Sequence, residues 1–477
     1  MANDPNTIQY VIQEDGFWYV ASKEKNPYVP ELTVSAKGIA NGLSTEYNDG
    51  WDFGPDSYDP SSTASIPYTQ TSGIQEAGIY SDANAIPIRL MDGVFELTAQ
   101  ITLSVNYLNM VGKGKNSSII KLIGDVGFLT QSANNTSQPV YAEIRNIGFD
   151  QYNSTGNTFG VQLNAAPISS SVNGGEATID GCSFYTTGTH NFGTVLIQGD
   201  QPTNIGFNPI RFTNNEILRD PTLPSAGGDF LDIYGSPNIL ATGNIFKDPQ
   251  NNPCIVVAGQ VPVENVIISD NVGRITNSNG NNSNLVSIYP VNNNSQVYHN
   301  VLVIGNTLYT ADKATYNWET LVIADGSNTS YTIPNNATIE HLMMVGNSNN
   351  GSYNNNIYDN YQTAITLSQV ITNGYNGAFT PTISTNPPVS GTAYQNTNPY
   401  DIEIDLPVYA TTAGTAGYVT IAKGSSSSSL TTIGNQFVNG STSSTSVDII
   451  RLRVPAGWYY EFTSSGVTFG TASVFAD

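Results

Sequence analysis

Ile239-Leu240-Ala241-Thr242-Gly243-Asn244 and, one step later, Val266-Ile267-Ile268-Ser269-Asp270-Asn271 decide how this chain is read. Each is a short apolar segment closed by a small residue and an asparagine, and the same ending returns at Asn214-Asn215, Gly305-Asn306 and Gly346-Asn347. The intervals run from about 27 to 41 residues, the period of a solenoid. The residues three and five positions before each second asparagine are apolar: Phe212 and Ile210, Ala241 and Ile239, Ile268 and Val266, Val303 and Val301, Met344 and Leu342. That alternation describes a strand with one face inward. Asparagine tolerates the left-handed backbone of a sharp corner, and asparagines stacked coil on coil can hydrogen-bond along the stack.

A second array runs out of phase with the corners: Val161-Gln162-Leu163, Val195-Leu196-Ile197, Leu231-Asp232-Ile233, Ile255-Val256-Val257, Val286-Ser287-Ile288 and Leu321-Val322-Ile323. Two strands per repeat in constant order predict parallel stacking of coils. Helices are excluded because the runs are short, rich in Val and Ile, and interrupted by Gly and Asn before a helical turn propagates. The expected fold is all-β, a right-handed parallel β-helix, its hand following from the crossover rule for parallel strands.

Charge narrows the function classes. Only 11% of the 477 residues are charged, yet Asp and Glu outnumber Lys and Arg by 38 to 16, a net charge of −22. So acidic a chain is not expected to bind nucleic acid or anionic membrane through its bulk field. No apolar run reaches transmembrane length, so membrane insertion is not expected, and the first residues lack the basic and apolar regions of a signal peptide. Either a processed leader is missing or the protein leaves its cell by another route, as a virion component released by lysis does. Cys182 and Cys254 read as buried small apolar residues about two coils apart rather than as a disulfide.

Three regions are expected. Residues 1–71 hold a hairpin, Tyr10-Val11-Ile12 and Phe17-Trp18-Tyr19-Val20 about Glu14-Asp15-Gly16, followed from about Glu31 by a loop or linker that makes an attachment segment. Residues 72–376 form the β-helix, opened by a short helix over Ser72–Ala85 that caps the first coil and its unpaired strand edges. Residues 377–477 carry short alternating strands separated by Ser and Gly loops such as Ser425–Ser429, the pattern of a β-sandwich.

Gly73-Ile74-Gln75-Glu76-Ala77, Gly93-Val94-Phe95-Glu96-Leu97, Leu108-Asn109-Met110-Val111-Gly112-Lys113-Gly114 and Ile119-Ile120-Lys121-Leu122 resemble the opening of pectate-lyase-like β-helix proteins, viral tailspikes among them. The resemblance implies a capping helix and a turn of the second coil at Val-Gly-x-Gly. It implies little about activity, because the fold hosts lyases, hydrolases and pure binders. Tyr394-Gln395-Asn396-Thr397-Asn398 and Pro455-Ala456-Gly457-Trp458-Tyr459-Tyr460 resemble C-terminal modules of virus and phage-like tail proteins. That likeness implies a domain that helps a trimer assemble or contacts a receptor.

With Leu231 and Ile233 inward, the outward strip of the second array carries Gln162, Asn164, Gln198, Asp232, Tyr234, Ser287 and Tyr289, expected to form a shallow carbohydrate-binding groove of amides and ring faces. The first array is apolar outward at Leu240, Ile267, Leu302, Ile304, Met343 and Val345, a face that a homotrimer of packed β-helices would bury. Catalysis on a glycan needs two carboxylates at a defined separation. The candidates are Asp229 and Asp232, which three-residue spacing puts on opposite faces unless Gly227-Gly228 bend the approach. No Asn-Thr-Asp, Asp-Asp, Gly-His-Gly or Arg-Ile-Lys segment of the polygalacturonase type occurs, His190, His299 and His341 are too scattered to hold a metal, and no cofactor is expected. The expected function is a virion or extracellular-surface spike binding a surface polysaccharide or glycoprotein glycan. The alternatives are a tailspike-type polysaccharide depolymerase, hydrolase or lyase, and a structural filament subunit.

Overall fold

The computed structural model describes residues 7–14, 17–24, 30–36, 52–59, 69–131, 140–152, 159–165, 175–187, 193–199, 206–220, 222, 228–249, 252–259, 263–276, 282–290, 297–310, 317–323, 337–349, 357–359, 365–368, 382–383, 388–396, 402–411, 417–438, 448–455, 457–470 and 472–476. They divide into two compact units, Met1–Ile339 with Asn347–Thr366, and Leu367–Asp477 with Glu340–Gly346.

The first unit is a parallel β-helix. Each full coil has three strands, not the two expected from the sequence. Sheet I, of eleven strands, holds the segments before the asparagine corners; sheet II, of nine, holds short strands that start at or just after each corner asparagine; sheet III, of nine, holds the second array. Sheet II was hidden because its strands, such as Glu216–Arg219, Ile245–Lys247 and Val272–Ile275, are only three or four residues long and follow the corner without a break. Every coil's inward residues align with the next, as Ile239, Val266 and Val301 do in sheet I. Phenylalanines pile up inside, Phe149 stacking on Phe184 at 5.1 Å and Phe184 on Phe212 at 6.2 Å.

The corner divides its labour between two residues. The first takes the left-handed conformation: Asn214, Gly243, Asp270, Gly305 and Gly346 all have φ between 56° and 69°. The second, Asn215, Asn244, Asn271, Asn306 or Asn347, is buried. Asn244 donates both its backbone N–H and its Nδ2 to Asn271 Oδ1 at 2.9 Å, while Nδ2 also donates to Phe212 O. Asn271 and Asn306 repeat the pattern toward Asn306 and Asn347. Cys182 occupies the ladder position before Asn215, and its N–H donates to Asn215 Oδ1 at 2.9 Å. Cys182 and Cys254 are free and buried.

The helix Ile74–Asn84 caps the first coils as expected. Its Gln75 Oε1 accepts the Thr102 N–H at 3.0 Å and its Asp82 Oδ1 accepts the N–H groups of Asn106 and Tyr107 at 2.8 Å. Side chains of the cap thus saturate backbone donors at the end of the solenoid. The hairpin pairs Thr7–Glu14 with Phe17–Glu24, its tip lying outside the described residues. Within the stretch read as loop or linker, Leu32–Val34 is instead the first strand of sheet I, paired with Ile88–Leu90, because its Leu32 and Val34 continue the buried inward column.

The second unit contains two antiparallel sheets, of five and four strands, closed over Leu406, Val408, Val419, Leu452, Val454 and Phe462. The two tail-like segments meet there: Tyr394 pairs and stacks with Tyr460, and the buried Asn396 donates its Nδ2 to Val454 O and Pro455 O at 3.1 Å.

Candidate functional site

Three places carry the chemistry singled out above. On sheet III, register aligns Gln162, Leu196, Asp232, Val256 and Ser287 in one outward column and Asn164, Gln198, Tyr234, Ala258 and Tyr289 in the next. The expected open groove is only partly open. Gln162, Asn164, Gln198 and Tyr234 are half-buried, and Gln162 Nε2 donates to Asn164 Oδ1 at 3.2 Å. Asp232 and Ser287 are buried together with Leu196, Val256 and Ala258, and Tyr234 packs against Val256 and Ala258. Ser287 Oγ donates to Asn284 Oδ1 at 2.9 Å. Apolar residues thus interleave with the polar ones, and the middle of this face is buried. The Tyr289 side chain lies outside the described residues.

The carboxylate pair is the second place. Gly228, with φ 139°, turns the approach to strand Leu231–Tyr234 so that Asp229 and Asp232, three residues apart, hydrogen-bond each other rather than point to opposite faces. Burial, then the negative charge of Asp229, then this hydrogen bond hold the Asp232 carboxyl well above the ordinary carboxylate range. The buried Oδ1 of Asp232 has no hydrogen-bond partner among the described residues. Behind the pair lies Arg219, buried, with Nη2 donating to Gly228 O at 2.8 Å, Nη1 to Pro249 O at 3.1 Å, and the guanidinium 5.1 Å from the Phe230 ring centre. Burial pulls Arg219 down to about 10, and the charge of Asp229 partly restores it. Gly193 makes the approach feasible, since a Cβ there would stand 2.7 Å from Asp229 O and 3.0 Å from Asp232 Oδ2.

Such a pair is poorly placed for glycosidic cleavage. Retaining enzymes separate their carboxyl groups by about 5 to 5.5 Å and inverting ones by more, with the sugar between. Two carboxyls in mutual hydrogen bond leave no room for an anomeric carbon, and Asp232 is closed to solvent.

The third place is one that the sequence reading missed, the outer face of sheet II. Register aligns Glu96, Lys121, Asp150, Tyr185, Leu218, Lys247, Arg274 and Tyr309 in one column. Their inward neighbours Phe95, Ile120, Phe149, Phe184, Ile217, Phe246 and Leu308 are buried, so this column faces out. Tyr185 is 41% and Tyr309 48% exposed, and Arg274 is exposed. Asp150 is the register partner of Tyr185 and the Asp220 N–H donates to Thr186 O at 3.0 Å; burial and then the charges of Asp220 and Asp150 raise the Tyr185 phenol. Asp220 is itself held low by hydrogen bonds from the side chain and backbone of Thr222. Arg89, Lys115, Lys121, Arg145 and Arg211 each pair with a glutamate. Among the described residues, Lys247 and Arg274, adjacent in the column, form no such pair. The signal for this strip was present in the alternation Ile217-Leu218, Phe246-Lys247 and Gly273-Arg274-Ile275, but it becomes readable only once the corner is known to start a new strand.

No protein-family model matches this chain, and no curated protein matches it. Solved structures with a similar course of chain include the catalytic domain of a GH87 α-1,3-glucanase in complex with tetrasaccharides, with a TM-score of 0.27 and 12% identity over 66% of this chain and 71% of that one. Escherichia coli YbhC gives 0.24 and 11% over 74% and 78%. The N-terminal fragment of bacteriophage phi29 gene product 12 gives 0.16 and 12% over 63% and 68%. Scores this low say nothing of what this chain binds or does. Among the described residues, no group of three or more His, Cys, Asp or Glu could hold a metal ion, and no helix is long and apolar enough to cross a membrane.

Proposed function

We propose that this protein is a spike of a virion or extracellular surface that binds host-surface glycans without cleaving them. The supporting observation is the outer column of sheet II, where the exposed rings of Tyr185 and Tyr309 flank Leu218, Lys247 and Arg274 on a ladder of parallel strands. Ring faces cover the apolar faces of sugars, and the charged and polar groups between them take hydroxyl hydrogen bonds. The half-buried Gln162, Asn164, Gln198 and Tyr234 on sheet III make a second polar surface for the same class of ligand. Assembly as a homotrimer belongs to this reading, with the half-buried Leu240, Ile267, Leu302 and Ile304 on the outside of sheet I as the packed face.

The test is incubation with a panel of surface polysaccharides, followed by sedimentation and by mass spectrometry of the supernatant. Intact polymer carried down with the protein is the expected result. Release of defined oligosaccharides that stops with Asp232→Asn would instead make the protein a depolymerase working through the sheet III pair, and would overturn the non-catalytic reading.

A further inference from the structure

The sheet II column is not uniform along its length. Asp150 and Tyr185 lie on neighbouring coils, and Asp220 is held next to Tyr185 by its N–H bond to Thr186 O at 3.0 Å; beyond Leu218 follow Lys247, Arg274 and Tyr309. Coils stack at about 4.8 Å, so the two tyrosines are about 19 Å apart. Each step is close to the rise of one sugar in an extended chain. A carboxylate on the ligand would meet two adjacent cations that make no ion pair among the described residues. The same carboxylate two or three coils away would face Asp150 and Asp220. The net charge of −22 adds a long-range repulsion against any densely charged polymer.

We propose that this column reads an extended heteropolysaccharide in which an acidic sugar recurs among neutral ones, the acid seated on Lys247 and Arg274 and a neutral sugar on Tyr185. This deepens the glycan-binding reading and rests on it. The attraction comes from the cation pair, and the selectivity against a polymer acidic at every sugar comes from the carboxylates beside Tyr185.

Titration calorimetry of the full chain with four probes tests it: fragments of deacylated gellan, a linear polymer with uronates spaced among neutral sugars; polygalacturonate, acidic at every sugar; dextran, neutral; and a single-stranded oligonucleotide. Gellan fragments are expected to bind at least about tenfold more tightly than the other three. The Lys247→Gln/Arg274→Gln double variant is expected to lose that advantage while dextran binding and the circular dichroism spectrum stay as they were. Asp150→Asn/Asp220→Asn is expected to bring polygalacturonate closer to gellan. Equal binding of gellan and dextran removes this inference and leaves glycan binding standing. An oligonucleotide bound as tightly as gellan reduces the column to an unselective anion patch and overturns it. Gellan binding unchanged in the Lys247/Arg274 variant does the same, and binding of no polysaccharide removes both proposals.

Discussion

Burial, and after it the neighbouring Asp229 carboxylate, raise the Asp232 carboxyl well above the ordinary range. A carboxyl whose folded pKa lies above its unfolded value binds more protons when folded, so its contribution to stability falls as pH rises from the ordinary carboxylate range through the folded pKa. Asp232→Asn keeps the shape and a donor toward Asp229 but removes the titration. The decline in melting temperature as pH rises above the ordinary carboxylate range is expected to be smaller in this variant than in the unaltered protein, as calorimetry at stepped pH would record. Arg219→Leu makes the opposite case, leaving Asp229 without its buried counter-charge at an expected cost of about 3 to 5 kcal/mol in denaturant unfolding. The sequence named both aspartates and put them on opposite faces unless Gly227-Gly228 bend the approach. It did not show Arg219 behind them, because a guanidinium at the end of a three-to-four-residue strand has no periodic signature, nor did it show that the middle of the strip is buried.

At the level of the element, the asparagine corner dominates. Asn271→Ala would strand the Asn244 N–H and Nδ2 at one contact and the Ala241 carbonyl at another. Each buried group left unmet costs about 1 to 3 kcal/mol, so the expected loss is on the order of 3 kcal/mol, measured by urea unfolding with hydrogen exchange to locate it. Gly305→Ala is milder, about 1 kcal/mol, because the strain at φ 67° is the chief cost. This element was also the most legible in the sequence: the asparagines, the flanking apolar pairs and the parallel stacking all read off directly, and so did the capping helix. What stayed hidden was the strand beyond the corner. Its inward positions shift by one residue at the corner, from Ile210 and Phe212 to Ile217 and Arg219, and a strand of three or four residues is too short to establish a period of its own.

On the scale of the whole molecule, charge and symmetry set the expectations. A net charge of −22 with few compensating cations makes self-repulsion part of the unfolding balance. Adding salt from about 10 mM to 150 mM, which shortens the screening length from about 30 Å to 8 Å, is expected to raise the melting temperature at pH 7. Light scattering tests the proposed trimer: a single species of three chains that falls to one chain in Ile267→Lys supports packing on sheet I, and a lone chain from the start removes it.

The joint between coils has a further consequence for length. Asn215 offers its N–H to Asn244, Asn244 to Asn271, and each contact has the same geometry whatever the loops between them do, whether the step is 29 residues or 41. A coil is therefore an interchangeable part. Cutting out residues 244–270 would bring Asn271 under Asn215 with the same bond, and the rod would shorten by one increment, like a ruler trimmed at a graduation mark. Cys182, standing where the next asparagine would be, marks where the scale of amides stops.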